Sequence, residues 1–326
     1  MTDASISATL PDAARRRSSP RGAGFDIWFE YACFAAATTV LVALGGVLVV
    51  LVFYGWPAFA TFGLDFFTSS TWDPVKNVYG GAGPIVGTLI TAILALMFSL
   101  PVAGGVAFFL VEFCPPFLRR PIGTAVELLA GIPSIVYGMW GYLVFAPFFA
   151  AKIEVPIQAV AANAPGSLLD TLTAGVPDGY GILAASIILA IMILPFTAAT
   201  LRELLQTVPA QVRESAYGLG ATTSEVIFTV TLPYVRRGAI GAVMLGLGRA
   251  LGETMAVTFI IGNAHNFPKS LFDSGSTIAS TIASEFSEAH DPIYSASLIA
   301  LGLVLFLITF GVLAIARLML RSQAKL

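Results

Sequence analysis

Charge is scarce in this 326-residue chain. Asp, Glu, Lys and Arg make up 11% of it, against roughly a quarter of an ordinary soluble domain. With 57% of the residues hydrophobic, a soluble globular fold is disfavoured. Positive charge is not in excess either: 17 Lys and Arg face 19 Asp and Glu, too few to hold a nucleic-acid backbone, so nucleic acid is not the partner. Cysteine is limited to Cys33 and Cys114 and histidine to His265 and His290. With no CxxC spacing and no spaced carboxylates or cysteines around the histidines, disulfide, zinc and other metal frameworks lack support, and both cysteines read as packing residues. Segments of alternating polarity are missing, which excludes a closed β-barrel. No Ser with a His base, no HExxH and no paired aspartates lie in the apolar runs, so catalytic residues are not assigned and an intramembrane enzyme has little support. A G-x4-G-K-S/T phosphate loop is also absent, the only Lys-Ser being Lys269-Ser270 behind Pro268. No ATP-binding cofactor site is expected on this chain.

Apolar runs are what the sequence has in abundance. Five are free of charge, 31–64, 77–111, 128–151, 179–201 and 292–316, and a sixth stretch, 238–262, is interrupted only by Arg249 and Glu253. About 20 apolar residues in a helix cross the roughly 30 Å hydrocarbon layer. The fold class is therefore an all-α polytopic membrane protein with six transmembrane helices, near 31–54, 84–111, 122–150, 179–201, 238–262 and 294–317. Pro101, Pro133 and Pro195 fall in the second, third and fourth of these and are expected to kink them.

Residues 1–26 form a polar tail carrying Arg15, Arg16, Arg17 and Arg21, and the apolar stretch behind it is too long for a signal-peptide core, so no cleavable signal is expected. Thirteen Lys and Arg residues fall in this tail, after span two, in 202–237 and after span six, while Lys76, Lys152 and Lys269 stand alone in the alternate loops. The basic side is the cytoplasm, and an even number of spans places both termini there. Loops 55–83, 152–178 and 263–291, with nine carboxylates and three lysines, are expected to be solvated outside. Glu127, seven residues beyond Arg120, is expected to make a structural contact at the cytoplasmic interface.

The long cytoplasmic connection 202–237 needs its own explanation. Thr207-Val208-Pro209 suits a helix start, running to about Tyr217 before Gly218-Leu219-Gly220 breaks it. Thr222 and Glu225 then form a T-x-x-E capping box that opens a second helix, expected to stop at Leu232-Pro233. Tyr217, Leu219, Val226 and Phe228 put apolar groups on this segment. Either a partner's groove covers them or they fold back on the protein's own span ends. The spacing E214-S-A-x3-G220-x9-V-x-L-P233 resembles the EAA loop of ATP-binding-cassette importer permeases, with Ser215 and Val230 as small or apolar exchanges. The resemblance implies a type I importer permease fold and a loop that docks on a cytoplasmic ATPase, with Glu214, Ala216 and Gly220 at the motif positions.

Span five holds the second feature. An ionisable group at bilayer depth costs about 2.5–3.5 kcal/mol on insertion scales, so it is rarely kept facing lipid. Counted from Gly238, Arg249 lies roughly 16 Å into the membrane with Glu253 one turn beyond, on the same helical face and at a spacing that allows an ion pair. Such a pair either fixes helix packing or serves a substrate, and a guanidinium with five donors suits a tetrahedral oxyanion. Gly246, Gly248 and Gly252 are expected to form a small-residue seam for close helix approach.

G246-L-G-R-A-L-G-E-T-M-A-V257, continuing through Asn263, together with Gly131-Ile-Pro-Ser-Ile-Val-Tyr-Gly138 and Gly87-Thr88-Leu89, is similar to the C-type subunit of phosphate-specific permeases. Met255-Ala256-Val257 separates it from the A-type partner. The resemblance covers about residues 28–320 and leaves out the tail. It implies a subunit of an ATP-driven importer in a bacterial inner membrane. A homologous A-type permease would complete the path, and an ATPase dimer using ATP and Mg and an extracytoplasmic phosphate-binding protein would complete the system. Inorganic phosphate is then the substrate and Arg249 and Glu253 the substrate-path residues. Sulfate or molybdate is the alternative cargo, and a passive anion channel a further one.

Overall fold

The computed structural model describes residues 23–322. The first 22 residues of the tail 1–26, with its four arginines, and Lys325 lie outside the described residues. Among the described residues six helices are long and apolar enough to cross a membrane: Ile27–Phe62, Ala82–Phe113, Ser134–Ala161, Ile182–Gln206, Thr223–Leu251 and Pro292–Leu318. In chain order these are the first to sixth spans. The chain divides into two units, Met1–Val50 and Leu51–Leu326. The described part of the first is helix, with Trp28, Phe29, Tyr31 and Phe34 exposed. The elements described next belong to the second.

The fourth span is the axis of the fold. Of its most apolar stretch 67% is buried, because it alternates large and small groups that let neighbours close in from several sides. Ala184, Ala185, Ile188, Leu189, Met192 and Ile193 form one core with Ala92 and Ala95 of the second span and Ala250, Leu251, Val257 and Ile260 around the fifth. A second core joins Ala58 and Phe66 to Ile278, Ala296, Ala300 and Leu301. There Gly55 lets the first span rest on the sixth, its missing Cβ leaving only 3.1 Å to the Ala300 Cα.

Three prolines inside spans are carried by π-helical turns. Pro147, Pro156 and Pro233 follow the turns Gly141–Phe145, Ala150–Glu154 and Ile227–Thr231. A proline has no N–H for the carbonyl four residues back, and its ring crowds that carbonyl. In each case the crowded carbonyl, of Leu143, Lys152 or Thr229, lies in the π turn, where bonding has shifted to the wider i→i+5 pattern. The helix opened by Thr222 therefore does not stop at Leu232-Pro233 as expected. It continues into the fifth span as one rod, Thr223–Leu251.

The window expected at 122–150 is split. Pro116–Ala130 is a separate helix, amphipathic along its length, and the third span starts at Ser134 behind Pro133, which biases Ile132 away from helical geometry. The span then passes Lys152 and Glu154 and ends at Ala161, so the connection expected to begin at residue 152 begins only after it. Pro101 and Pro195 lie inside unbroken helices. Cys114 is buried, but Cys33 is exposed rather than packed.

Segment 263–277 folds back against the second and fourth spans. It lies against Gly83 and Gly87 of the second span, where added Cβ atoms would strike the carbonyl oxygens of His265 and Ser276. Its carbonyls also accept from the first amides of the fourth span, Ile182 N to Asp273 O at 3.2 Å and Leu183 N to Leu271 O at 2.9 Å. Those are the donors a helix start leaves unpaired.

Beside this segment sits a saturated carboxylate. Glu285 accepts from Trp72 Nε1 and from the Tyr294 hydroxyl, both at 2.6 Å, and pairs with His265 Nε2 at 2.5 Å. The Trp72 ring stacks on His265, and Tyr79 stacks on Tyr294. Burial alone pushes the Glu285 carboxyl up, but the bonds from His265, Tyr294 and Trp72 outweigh it and hold it below the usual carboxylate range. His265 thus serves a contact with Glu285 that ties together segments distant in the chain.

Candidate functional site

The fifth span does not run unbroken through its charged residues. Its helix ends at Leu251, Gly252–Thr254 leave helical geometry, and one further turn forms at Met255–Thr258. Arg249 consequently sits in the last turn of the helix Leu232–Leu251, where the carbonyl end of the macrodipole favours a cation. Glu253 lies beyond the break and turns to the next element, its Oε1 accepting from Ala256 N at 3.2 Å. The two make no ion pair among the described residues, and the expected arrangement on one continuous helical face is wrong because the helix ends between them.

Arg249 is exposed, and among the described residues its guanidinium engages no hydrogen-bonding or ionic partner. Its one ring contact is with Phe196 of the fourth span, the guanidinium carbon standing 5.5 Å from the ring centroid. The small-residue seam is narrower than expected. Only Gly246 is tightly packed, with 3.0 Å between an added Cβ and Thr197 Oγ1, while Gly248 meets nothing and Gly252 meets only the Gly248 carbonyl. Arg249 and its flanking glycines therefore present an open, backbone-lined surface. A permanent cation with free donors on such a surface is suited to an oxyanion.

The connection 202–237 is built as two helical pieces. Ala210–Gly218 starts behind Pro209 and ends in a left-handed turn at Gly220, φ 87°, with Ala221 N reaching Ala216 O at 3.2 Å. This is the 6→1 bond of a Schellman cap, and the left-handed turn explains the glycine of the motif. The capping box forms: Thr222 N donates to Glu225 Oε2 at 2.8 Å and Glu225 N to Thr222 Oγ1 at 3.4 Å. Glu214 is exposed and Ala216 half-buried on the first piece. Of the four apolar side chains, Val226 is fully buried within the chain, whereas Tyr217, Leu219 and Phe228 are 40%, 91% and 68% exposed.

Two ion pairs, neither legible in the sequence as a pair, anchor this loop. Arg213 reaches Glu112 of the second span at 3.0 Å and Val208 O at 3.1 Å. Arg202 pairs with Glu127 at 2.9 Å, and Gly123 leaves room for its guanidinium. Glu127 thus makes a structural contact. The loop is held by charges at its base and left apolar at its tip.

The chain is similar to known proteins. The family described as binding-protein-dependent transport system inner membrane component matches residues 105–325. The chain is 53% identical over 295 residues to the phosphate transport system permease protein PstC of Mesorhizobium japonicum, covering 90% of each chain. It is 50% identical over 289 residues to the protein of that name from Pasteurella multocida, covering 89% of each. A solved bacterial ABC transporter involved in the import of the acidic polysaccharide alginate aligns with a TM-score of 0.53 at 18% identity, over 90% of this chain and 97% of that chain. At that identity the likeness concerns the fold alone. A mostly helical fold with six helices long and apolar enough to cross a membrane, and identity of this extent, place the chain in the PstC family of permeases, among the inner-membrane components of binding-protein-dependent transport systems.

Proposed function

We propose that this chain is the C-type permease subunit of an ATP-driven importer, forming with a homologous A-type permease the path by which inorganic phosphate enters the cytoplasm. The observation that carries the reading is Arg249, whose charge and donors face an open surface with no protein acceptor among the described residues. Relatives at 53% and 50% identity bear phosphate transport in their names, which favours phosphate over other tetrahedral oxyanions. The chain is a transport subunit rather than an enzyme. Bringing an anion into a cell that is negative inside costs about 2.3 kcal/mol per charge per 100 mV, so accumulation requires an energy source. That source is a cytoplasmic ATPase dimer using ATP and Mg, docked on Glu214, Ala216, Gly220 and the exposed Tyr217, Leu219 and Phe228. An extracytoplasmic phosphate-binding protein delivers the anion to the opposite face, and both termini lie in the cytoplasm.

In this scheme Glu253 acts beyond the helix break, orienting the turn at Met255 or meeting a protonated oxygen of the anion, while Arg249 supplies the attraction. Nucleotide-driven movement of the docking loop opens the Arg249 surface to one side at a time. The test is labelled-phosphate uptake into proteoliposomes holding the full complex, with and without ATP and with labelled sulfate in parallel. Uptake that requires ATP and ignores sulfate is expected. Sulfate uptake would change the cargo, and flux without ATP would remove the importer reading.

A further inference from the structure

The fourth and fifth spans approach closely at Gly246 and Thr197, an added Cβ on the glycine falling 3.0 Å from the threonine hydroxyl. Thr197 is fully buried, its hydroxyl tied back to the Ile193 carbonyl at 3.0 Å, so the contact is rigid from that side. Arg249 follows Gly246 by three residues and lies on the same side of the helix, while Phe196 directly precedes Thr197. The glycine contact therefore sets how far the arginine must reach to lie over the ring, and the observed 5.5 Å to the centroid is within the roughly 6 Å over which a ring face attracts a cation.

How an arginine is held decides what it can still do. A carboxylate would consume two of its donors and cancel its charge, leaving a weak site for an anion. A ring face attracts the cation through its quadrupole and uses no N–H. Glu253, the carboxylate nearest in sequence, is committed to Ala256 N. We propose that Phe196 is a positioning residue of the translocation path: its ring face holds the Arg249 guanidinium at the open surface with its hydrogen-bond donors free for the oxyanion. This rests on the reading of Arg249 as a substrate-path residue.

The test uses the full complex in proteoliposomes with labelled inorganic phosphate. Phe196 is replaced by mono-, di- and trifluorinated phenylalanine, which drains the negative ring face while nearly preserving its shape. The KM for phosphate is expected to rise stepwise, by about five- to tenfold at the last member, with the maximal rate unchanged. Phe196→Tyr, which keeps the ring, is expected to stay within about twofold of the parent, and Phe196→Leu to match the trifluorinated protein. A KM that does not move across the fluorinated series overturns the proposal, even where Phe196→Leu fails to assemble. Arg249→Gln run alongside separates the two levels. If it transports like the parent, the path reading falls and the proposal with it. If it loses uptake while the fluorinated series is flat, the role of Phe196 alone falls.

Discussion

Glu285 and Arg249 are both charges set among apolar residues, and the chain treats them in opposite ways. Glu285 is surrounded by donors from three separate segments, Trp72, His265 and Tyr294. Arg249 has a ring face on one side and no acceptor among the described residues. Nearly every favourable interaction Glu285 can make is already made, so its charge stabilises the fold and has little left for a ligand. Arg249 holds its hydrogen-bonding capacity in reserve, at a cost in stability that packing alone does not explain. The difference separates a charge that holds structure together from one that, under the proposed function, is left available to the anion. The packing pair first considered for Arg249 and Glu253 exists in this protein, but as His265 and Glu285.

The largest effect should come from Arg249→Gln. Losing charge-assisted bonds to the anion is expected to lower phosphate uptake by about ten- to a hundredfold, while the complex still copurifies. Loss of the complex instead would make Arg249 a packing residue and erase the contrast. Glu285→Ala should do the reverse, leaving buried donors without an acceptor and costing about 1–3 kcal/mol in thermal unfolding, with uptake per assembled complex retained. A finer test is pH. The Glu285 carboxyl titrates lower in the folded protein than in the unfolded chain, so its stabilisation is present above the unfolded value of about 4.3 and is lost as pH falls through the folded one. The gap in melting temperature between the parent and Glu285→Gln should close over that acidic range and stay open at neutral pH. The smallest effect concerns the docking loop. Thr222→Ala removes one cap and should cost about 1 kcal/mol, read as faster amide exchange in 223–231 with the Arg249 surface unaffected.

The features that were legible in the sequence are those written in local order. Five charge-free runs and a sixth interrupted only by Arg249 and Glu253 announced six spans, although the third and fifth lie at other bounds, and the T-x-x-E spacing located the cap at Thr222. Gly218-Leu219-Gly220 announced the break of the first helix, which the structure makes with a left-handed turn at Gly220. What escaped was settled by partners far along the chain or by unusual helix geometry. Trp72 and Glu285 are 213 positions apart, and no periodicity joins them. Nothing about Phe196 in a run of apolar residues marks it as the neighbour of Arg249. The split at Ile132–Pro133 and the break at Gly252 did have signals, a proline and a glycine, which were read as a kink and as a packing seam. Pro233 was the opposite case: it was taken as a helix stop, but the π turn at Ile227–Thr231 carries the helix past it.

That π turn has a mechanical meaning. From Thr223 to Leu251 the chain is one helical shaft of 29 residues, about 40 Å at the ordinary rise. Its lower end is the docking loop, and Arg249 sits in its final turn. Had Pro233 ended the helix, the two would be joined by a slack elbow that absorbs small displacements. Instead, the chain stays helical from Thr223 to Leu251, so a displacement at one end is carried to Arg249 with the π turn at Ile227–Thr231 as the place inside the rod where it can bend, and under the proposed function that is how movement of the loop would reach the path.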